Sequence, residues 1–195
     1  MYKSEMPRIR AAAVISALAL LSSCSGGAEE RSAVPAAPSP QDPRSRELAI
    51  PKLEDGEPCP RTKGKEISPD FAAGLGTGPA YPVGLGTTGF LDYAPAENFD
   101  SKKWAGQKVL WAVEPSYDGP VLIRGRQIDG PHEVRFDEGD VPPRQIWMPA
   151  EDAPDERWRE RPSYTRVRGS GCYGYQVDGP NFSLVIVFEA RPISE

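Results

Sequence analysis

The sequence predicts an all-β domain, a sandwich of about seven to eight short antiparallel strands, held behind an export leader and a proline-rich tether. Three observations carry this. Beyond residue 58, apolar and polar residues alternate in short runs, the period of a half-buried strand. One turn tripeptide, Asp-Gly-Pro, recurs at 118–120, 129–131 and 178–180, each time between two such runs. No segment of the domain sustains ten residues of 3.6-residue patterning, which leaves a sandwich as the architecture for many short strands.

The elements follow in chain order. Lys3, Arg8 and Arg10 stand against a single Glu5, and residues 11–21 then run eleven positions without a charge. That run is about half of the roughly 20 apolar residues that a spanning helix needs. It matches the apolar core of a cleaved export signal, so residues 1–23 read as a signal peptide. Leu21-Ser22-Ser23-Cys24 closes the run. These four residues resemble the lipobox of bacterial lipoproteins. The resemblance implies a diacylglyceryl group on the Cys24 thiol, cleavage before Cys24, palmitate-type acylation, and an extracytoplasmic chain anchored by lipid to the cell membrane. Two acyl chains, at about 0.8 kcal/mol per buried CH₂, give the stable attachment that a single chain does not.

Residues 24–57 show neither period and place four prolines within residues 32–43. Such a composition buries too little apolar surface to offset its ordering entropy. It reads as a disordered tether, about thirty residues that reach up to roughly 90 Å in polyproline II form. The domain then occupies 58–195. Its expected strands cover 79–85, 107–114, 121–128, 133–136, 145–148, 164–168, 172–178 and 183–190. In the second of these, Val109, Trp111 and Val113 share one face. The last is the most apolar: Leu184, Ile186 and Phe188 point one way and Val185 and Val187 the other, so it should be covered on both faces. In the Asp-Gly-Pro turns, Asp is expected to bond its own backbone, Gly to take positive φ, and Pro to stop the strand.

Gly171-Cys172-Tyr173-Gly174-Tyr175-Gln176-Val177-Asp178, a turn, and the strand after it resemble the last hairpin of an immunoglobulin-like sandwich. The pattern over roughly 104–190 is also similar to an uncharacterised domain of secreted lipoproteins from high-GC Gram-positive bacteria. That resemblance implies the fold and brings no activity with it.

Charge and cysteine content bound the function. Without its leader the chain carries 20 basic and 27 acidic side chains, a net charge of −7. Nucleic acid is a poor partner for that balance, because phosphate binding needs clustered cations. With Cys24 taken by lipid, Cys59 and Cys172 remain, and in an oxidising compartment such a pair usually forms a disulfide. The alternative is two free thiols. The 113-residue loop so closed corresponds to about 5 kcal/mol at most in the chain-entropy picture. Cys59 lies too far upstream for the mid-domain bridge of an antibody domain, and would pin the start of the domain instead.

Candidate chemistry is sparse. Gly84-Leu85-Gly86-Thr87-Thr88-Gly89 has dinucleotide-fingerprint spacing, but Pro95 forbids the helix whose N-terminus would meet a pyrophosphate. It reads as a loop, and no nucleotide or other cofactor is expected. His132 is the only histidine and follows a Gly-Pro turn, and no Gly-x-Ser-x-Gly elbow exists for a hydrolytic serine. The acidic stretches 137–140 and 151–156 lack calcium-loop spacing and read as solvated loops, so no metal is expected. Among four tryptophans, Trp111 reads as core, while Trp104 and Trp158 have polar neighbours and are the candidates to stack on a sugar or a partner protein. The expected function is therefore a non-enzymatic envelope module that binds protein or glycan. An accessory lipoprotein assembling with a membrane protein is the alternative, and a carboxylate-based hydrolase the third.

Overall fold

The computed structural model describes residues 41–193. The leader, Cys24 and the expected tether as far as residue 40 lie outside the described residues. Eleven strands form two sheets: β1 (Gly64–Lys65), β2 (Gly74–Leu75), β3 (Ala80–Val83), β4 (Phe90–Tyr93), β5 (Ala105–Val113), β6 (Val121–Gln127), β7 (Arg135–Phe136), β8 (Gln145–Met148), β9 (Arg159–Val167), β10 (Gly171–Gly179) and β11 (Phe182–Pro192). The first sheet runs β1-β2-β3-β5-β9-β7 and the second β4-β11-β10-β6-β8. Within them, β3-β5-β9-β7 and β11-β10-β6 reproduce the A-B-E-D and G-F-C orders of an immunoglobulin constant-type sandwich. β4 adds a strand parallel to β11, so the second sheet is mixed and not purely antiparallel.

Period-two alternation builds the core. Val109, Trp111 and Val113 of β5 face Tyr173, Tyr175 and Val177 of β10 and Ile186 and Phe188 of β11 in one buried cluster. Trp111 meets Tyr175 edge-on with ring centroids 5.1 Å apart, and Tyr175 stacks on Phe188 at 4.4 Å. Each such pair is worth about 0.5–1.5 kcal/mol beyond the area it buries. The Tyr175 hydroxyl shares a 2.6 Å hydrogen bond with Thr165 Oγ1, which removes the cost of burying it. Tyr173 donates from Oη to the carbonyl of Gly169 at 2.9 Å. That is the tyrosine corner, which ties the start of an F strand to the turn before it.

β9 begins at Arg159, earlier than expected, and contains Pro162. The proline costs no ladder bond because β7 reaches β9 only at Thr165 and Arg166, so the proline nitrogen faces an open edge. β1, β2 and β4 were not expected from the sequence.

The turn glycines serve a different purpose from the one expected. Gly119, Gly130 and Gly179 all keep negative φ. A Cβ at Gly119 would sit 2.5 Å from the Tyr117 hydroxyl, one at Gly130 2.6 Å from the Gln127 amide, and one at Gly179 against the Phe182 ring. Close packing against aromatic rings, not backbone freedom, favours glycine at 119 and 179, while at 130 the contact is with the movable end of Gln127. Asp178 is likewise no turn residue. It pairs with Ser183 inside the β10–β11 hairpin, whose two-residue loop is Pro180-Asn181. Fully buried, it accepts Arg124 Nη2 at 2.8 Å, Gln176 Nε2 at 2.9 Å and Ser183 Oγ at 2.6 Å.

Residues 41–57, read from composition as tether, instead lie as a strap across the outer face of the second sheet. Ile50 is 1% exposed and packs with Ile128, Cys172 and Val187, with Leu53 and Cys59 alongside. Gln176, projecting from β10, accepts the Ala49 N–H at 2.6 Å and donates to the Glu47 carbonyl at 2.8 Å. The Leu53 N–H reaches the Ile128 carbonyl at 2.8 Å. The Cys59–Cys172 disulfide fastens the end of the strap to β10, with Cα atoms 5.5 Å apart. Two apolar residues suffice here because the sheet supplies the rest of the socket.

Candidate functional site

The two tryptophans singled out from sequence part company. Trp104 is 3% exposed: the Arg168 guanidinium lies 4.4 Å from its ring centroid and that of Arg135 lies 5.4 Å away. Its backbone N–H donates to Ser101 Oγ at 3.2 Å and its carbonyl accepts from the buried Arg166. Burial lowers the Arg166 pKa, and carbonyl oxygens rather than carboxylates receive its hydrogen bonds. No face of Trp104 is left for a ligand. Its polar neighbours in sequence concealed cations that arrive from β7 and from the end of β9.

Trp158 does remain open. It stands just before β9 and is half-buried, held by Phe71 edge-on at 5.2 Å and by Tyr81 at 6.3 Å. The cross-strand register puts Tyr81 opposite Ala112, on the face of the first sheet that points away from the core. Tyr81 is fixed in turn by Glu114, whose carboxylate accepts from its hydroxyl, and Lys65 lies over its ring at 5.4 Å. Burial, followed by the hydrogen bond to Glu114 and then its charge, raises the Tyr81 pKa, so the phenol stays a neutral donor.

Two clefts share Trp158, Pro154 and Glu160 as walls. The wider, of about 580 Å³, adds Asp70, Phe71, Glu156 and Arg157. The narrower, of about 400 Å³, adds Trp147, Met148, Asp152, Arg159 and Arg161. Arg159 is a fixed part of that wall: buried to 4% exposure, it donates to the carbonyls of Pro149 and Gly119 at 2.7 Å each, and burial lowers its pKa. The arrangement is thus an indole platform flanked by carboxylate acceptors and guanidinium donors. Such an arrangement complements a flat apolar face bordered by polar groups. Sequence reasoning found Trp158 and missed Phe71, Tyr81, Asp70 and Glu160. The one available signal was parity, since Trp158 and Glu160 share a face once β9 is extended back to residue 159.

The other candidates are placed as follows. His132 is half-buried beside Gln127, whose side-chain oxygen accepts the His132 backbone N–H at 3.2 Å. Ser170 is exposed, and its hydroxyl lies 3.1 Å from Tyr93 Oη. The glycine-rich stretch 84–89 forms the loop between β3 and β4, with Gly84, Gly86 and Gly89 at positive φ. Asp137 in the first acidic loop is paired with Arg161 at 2.7 Å. Among the described residues, no three His, Cys, Asp or Glu side chains come together as a metal site, and no helix is long and apolar enough to cross a membrane.

No protein-family model matches the chain, and no curated protein matches it. Among solved structures it is similar to a crystal structure described as a candidate lipoprotein from Bacillus anthracis. The TM-score is 0.45 and the identity 10%, over 70% of this chain and 88% of that one.

Proposed function

We propose that the chain is a lipid-anchored, extracytoplasmic binding module that takes an envelope glycan over Trp158. The supporting observation is the half-open indole, braced by Phe71 and Tyr81, at the shared wall of two clefts, each lined by both carboxylates and arginines. Base–aromatic and sugar–aromatic stacking share one physics, an apolar face laid on a rigid ring that loses little conformational entropy. The lipid anchor at Cys24 rests on the lipobox resemblance, and the cross-linked Cys59–Cys172 pair fits an oxidising compartment.

The test is titration of the full chain with cell-wall oligosaccharides, followed by tryptophan fluorescence. Saturable binding that Trp158→Ala weakens roughly tenfold or more supports the reading, at 1.4 kcal/mol per decade. No ligand retained at millimolar concentration overturns it. Labelled palmitate that enters the wild-type chain and not Cys24→Ala tests the anchor. The carboxylates of the wider cleft favour one second reading, glycan hydrolysis, and chromatography of the same oligosaccharides after incubation separates cleavage from binding.

A further inference from the structure

On the opposite face of the sandwich, a groove of about 480 Å³ opens between the strap and the outer surface of β6. Its lining is cationic in a chain whose net charge is −5. Arg124 and Arg126 form the floor, two residues apart on β6 and so on one face of the sheet. Lys52 stands on the strap rim and Arg144 on the rim before β8, while Glu133 is the only carboxylate in the lining.

The pairing within the groove leaves positive charge over. Arg124 is neutralised by the buried Asp178 at 2.8 Å. Glu133 is divided between Arg135 at 2.5 Å and Arg144 at 3.3 Å. Arg126 gives a hydrogen bond to the Ile50 carbonyl, which satisfies a donor without cancelling its charge. Among the described residues, neither Arg126 nor Lys52 has a salt-bridge partner. Arg144 reaches solvent with 73% of its side chain exposed. Leu48 and Pro131 supply apolar wall between these charges.

The geometry points to a second site, separate from the Trp158 clefts, that binds a small organic oxyanion, a carboxylate or phosphate on a short apolar body. Guanidinium forks match both head groups, and charge-assisted hydrogen bonds to them are about twice as strong as neutral ones. The volume lies in the range of about 300–1,000 Å³ usual for small-ligand sites. It excludes a folded polymer. The strap is needed to make the site, because Leu48 and Lys52 form one of its walls. A ligand seated there bridges the strap and β6, and so opposes detachment of the strap.

Calorimetric titration of the full chain at low ionic strength with phenyl phosphate, benzoate and inorganic phosphate tests this. Saturable binding of at least one is expected. The combined charge reversal Lys52→Glu and Arg144→Glu, both on exposed rims, should weaken it roughly tenfold or more, as should Arg126→Gln. Trp158→Ala should leave it unchanged, which separates this site from the glycan reading. The preferred probe assigns the head group: phenyl phosphate over benzoate selects phosphate, the reverse selects carboxylate, and inorganic phosphate alone removes the need for an apolar body. If Arg126→Gln does not fold by circular dichroism, the rim pair decides. Absence of saturable binding by all three probes, or binding indifferent to the rim reversal, overturns the proposal.

Discussion

The two outward faces of this sandwich solve different problems. On the first sheet, the outer positions of β5 and β9 include Lys108, Glu160, Pro162 and Tyr164, all at least partly exposed, and Trp158 stands at their margin. On the second sheet, the outer positions of β10 are Cys172, Gly174, Gln176 and Asp178, and all of them are buried. The first face is polar enough to meet water at these positions, although Gly106, Ala112 and Arg166 on it are buried. The second is not, and the strap covers it. One face can therefore present a platform to a ligand, while the other offers only what the strap leaves open.

The largest effect should come from cutting the strap's covalent tie. Replacing Cys59 and Cys172 together by alanine removes the constraint on a 113-residue loop and should cost about 3–5 kcal/mol. Denaturant unfolding of the non-reduced wild type against the double variant measures it. A loss below about 1 kcal/mol would show that residual structure already confines the unfolded chain or that the bridge strains the fold.

Ile50→Ala should follow, at about 2–4 kcal/mol, because it empties the one socket that the strap fills between Ile128 and Val187. Hydrogen exchange sharpens the comparison. The Ala49 and Leu53 amides, bonded to Gln176 and Ile128, should exchange faster, and the amides of β5 in the other sheet should not. Equal acceleration in both sheets would make the strap part of a single cooperative unit with the core and erase the distinction between the faces.

The same comparison shows what the sequence could disclose. The hairpin β10–β11 and strands β5, β6 and β8 lie where alternation puts them, since seven or more residues in a half-buried sheet display their period, and β8 is bounded by prolines. That β11 needed cover on both faces was legible in part: Ile186 and Phe188 on one face and Val187 on the other are buried, while Val185 is 39% exposed. What supplied the cover was not. Ile50 and Leu53 are isolated apolar residues in a proline-rich segment, and a segment's own composition does not show that a distant sheet holds a socket for it. Trp104 and Trp158 failed to separate for the same reason. The arginines that cover the one and the Phe71 and Tyr81 that brace the other are brought in only by the sheet topology.

The smallest of these effects belongs to neither face but to the corner that joins β9 to β10. Tyr173→Phe deletes the 2.9 Å hydrogen bond to the Gly169 carbonyl and should cost about 1 kcal/mol at neutral pH, read as a lowered denaturant midpoint with unchanged m. Its pH dependence gives a second readout. Burial, reinforced by the negative charge of Asp129, raises the Tyr173 pKa above its unfolded value of about 10. The native state then holds a proton that the unfolded state has released, so this residue's contribution is complete below about pH 10 and is lost as pH rises through the folded pKa. Phenylalanine has no proton to release. The variant's deficit should therefore narrow above about pH 10, while Tyr81 and Tyr175, raised chiefly by their own burial, continue to destabilise both proteins there. A deficit that stays constant across that range would mean that Tyr173 ionises as readily in the fold as out of it, and that the corner is wet.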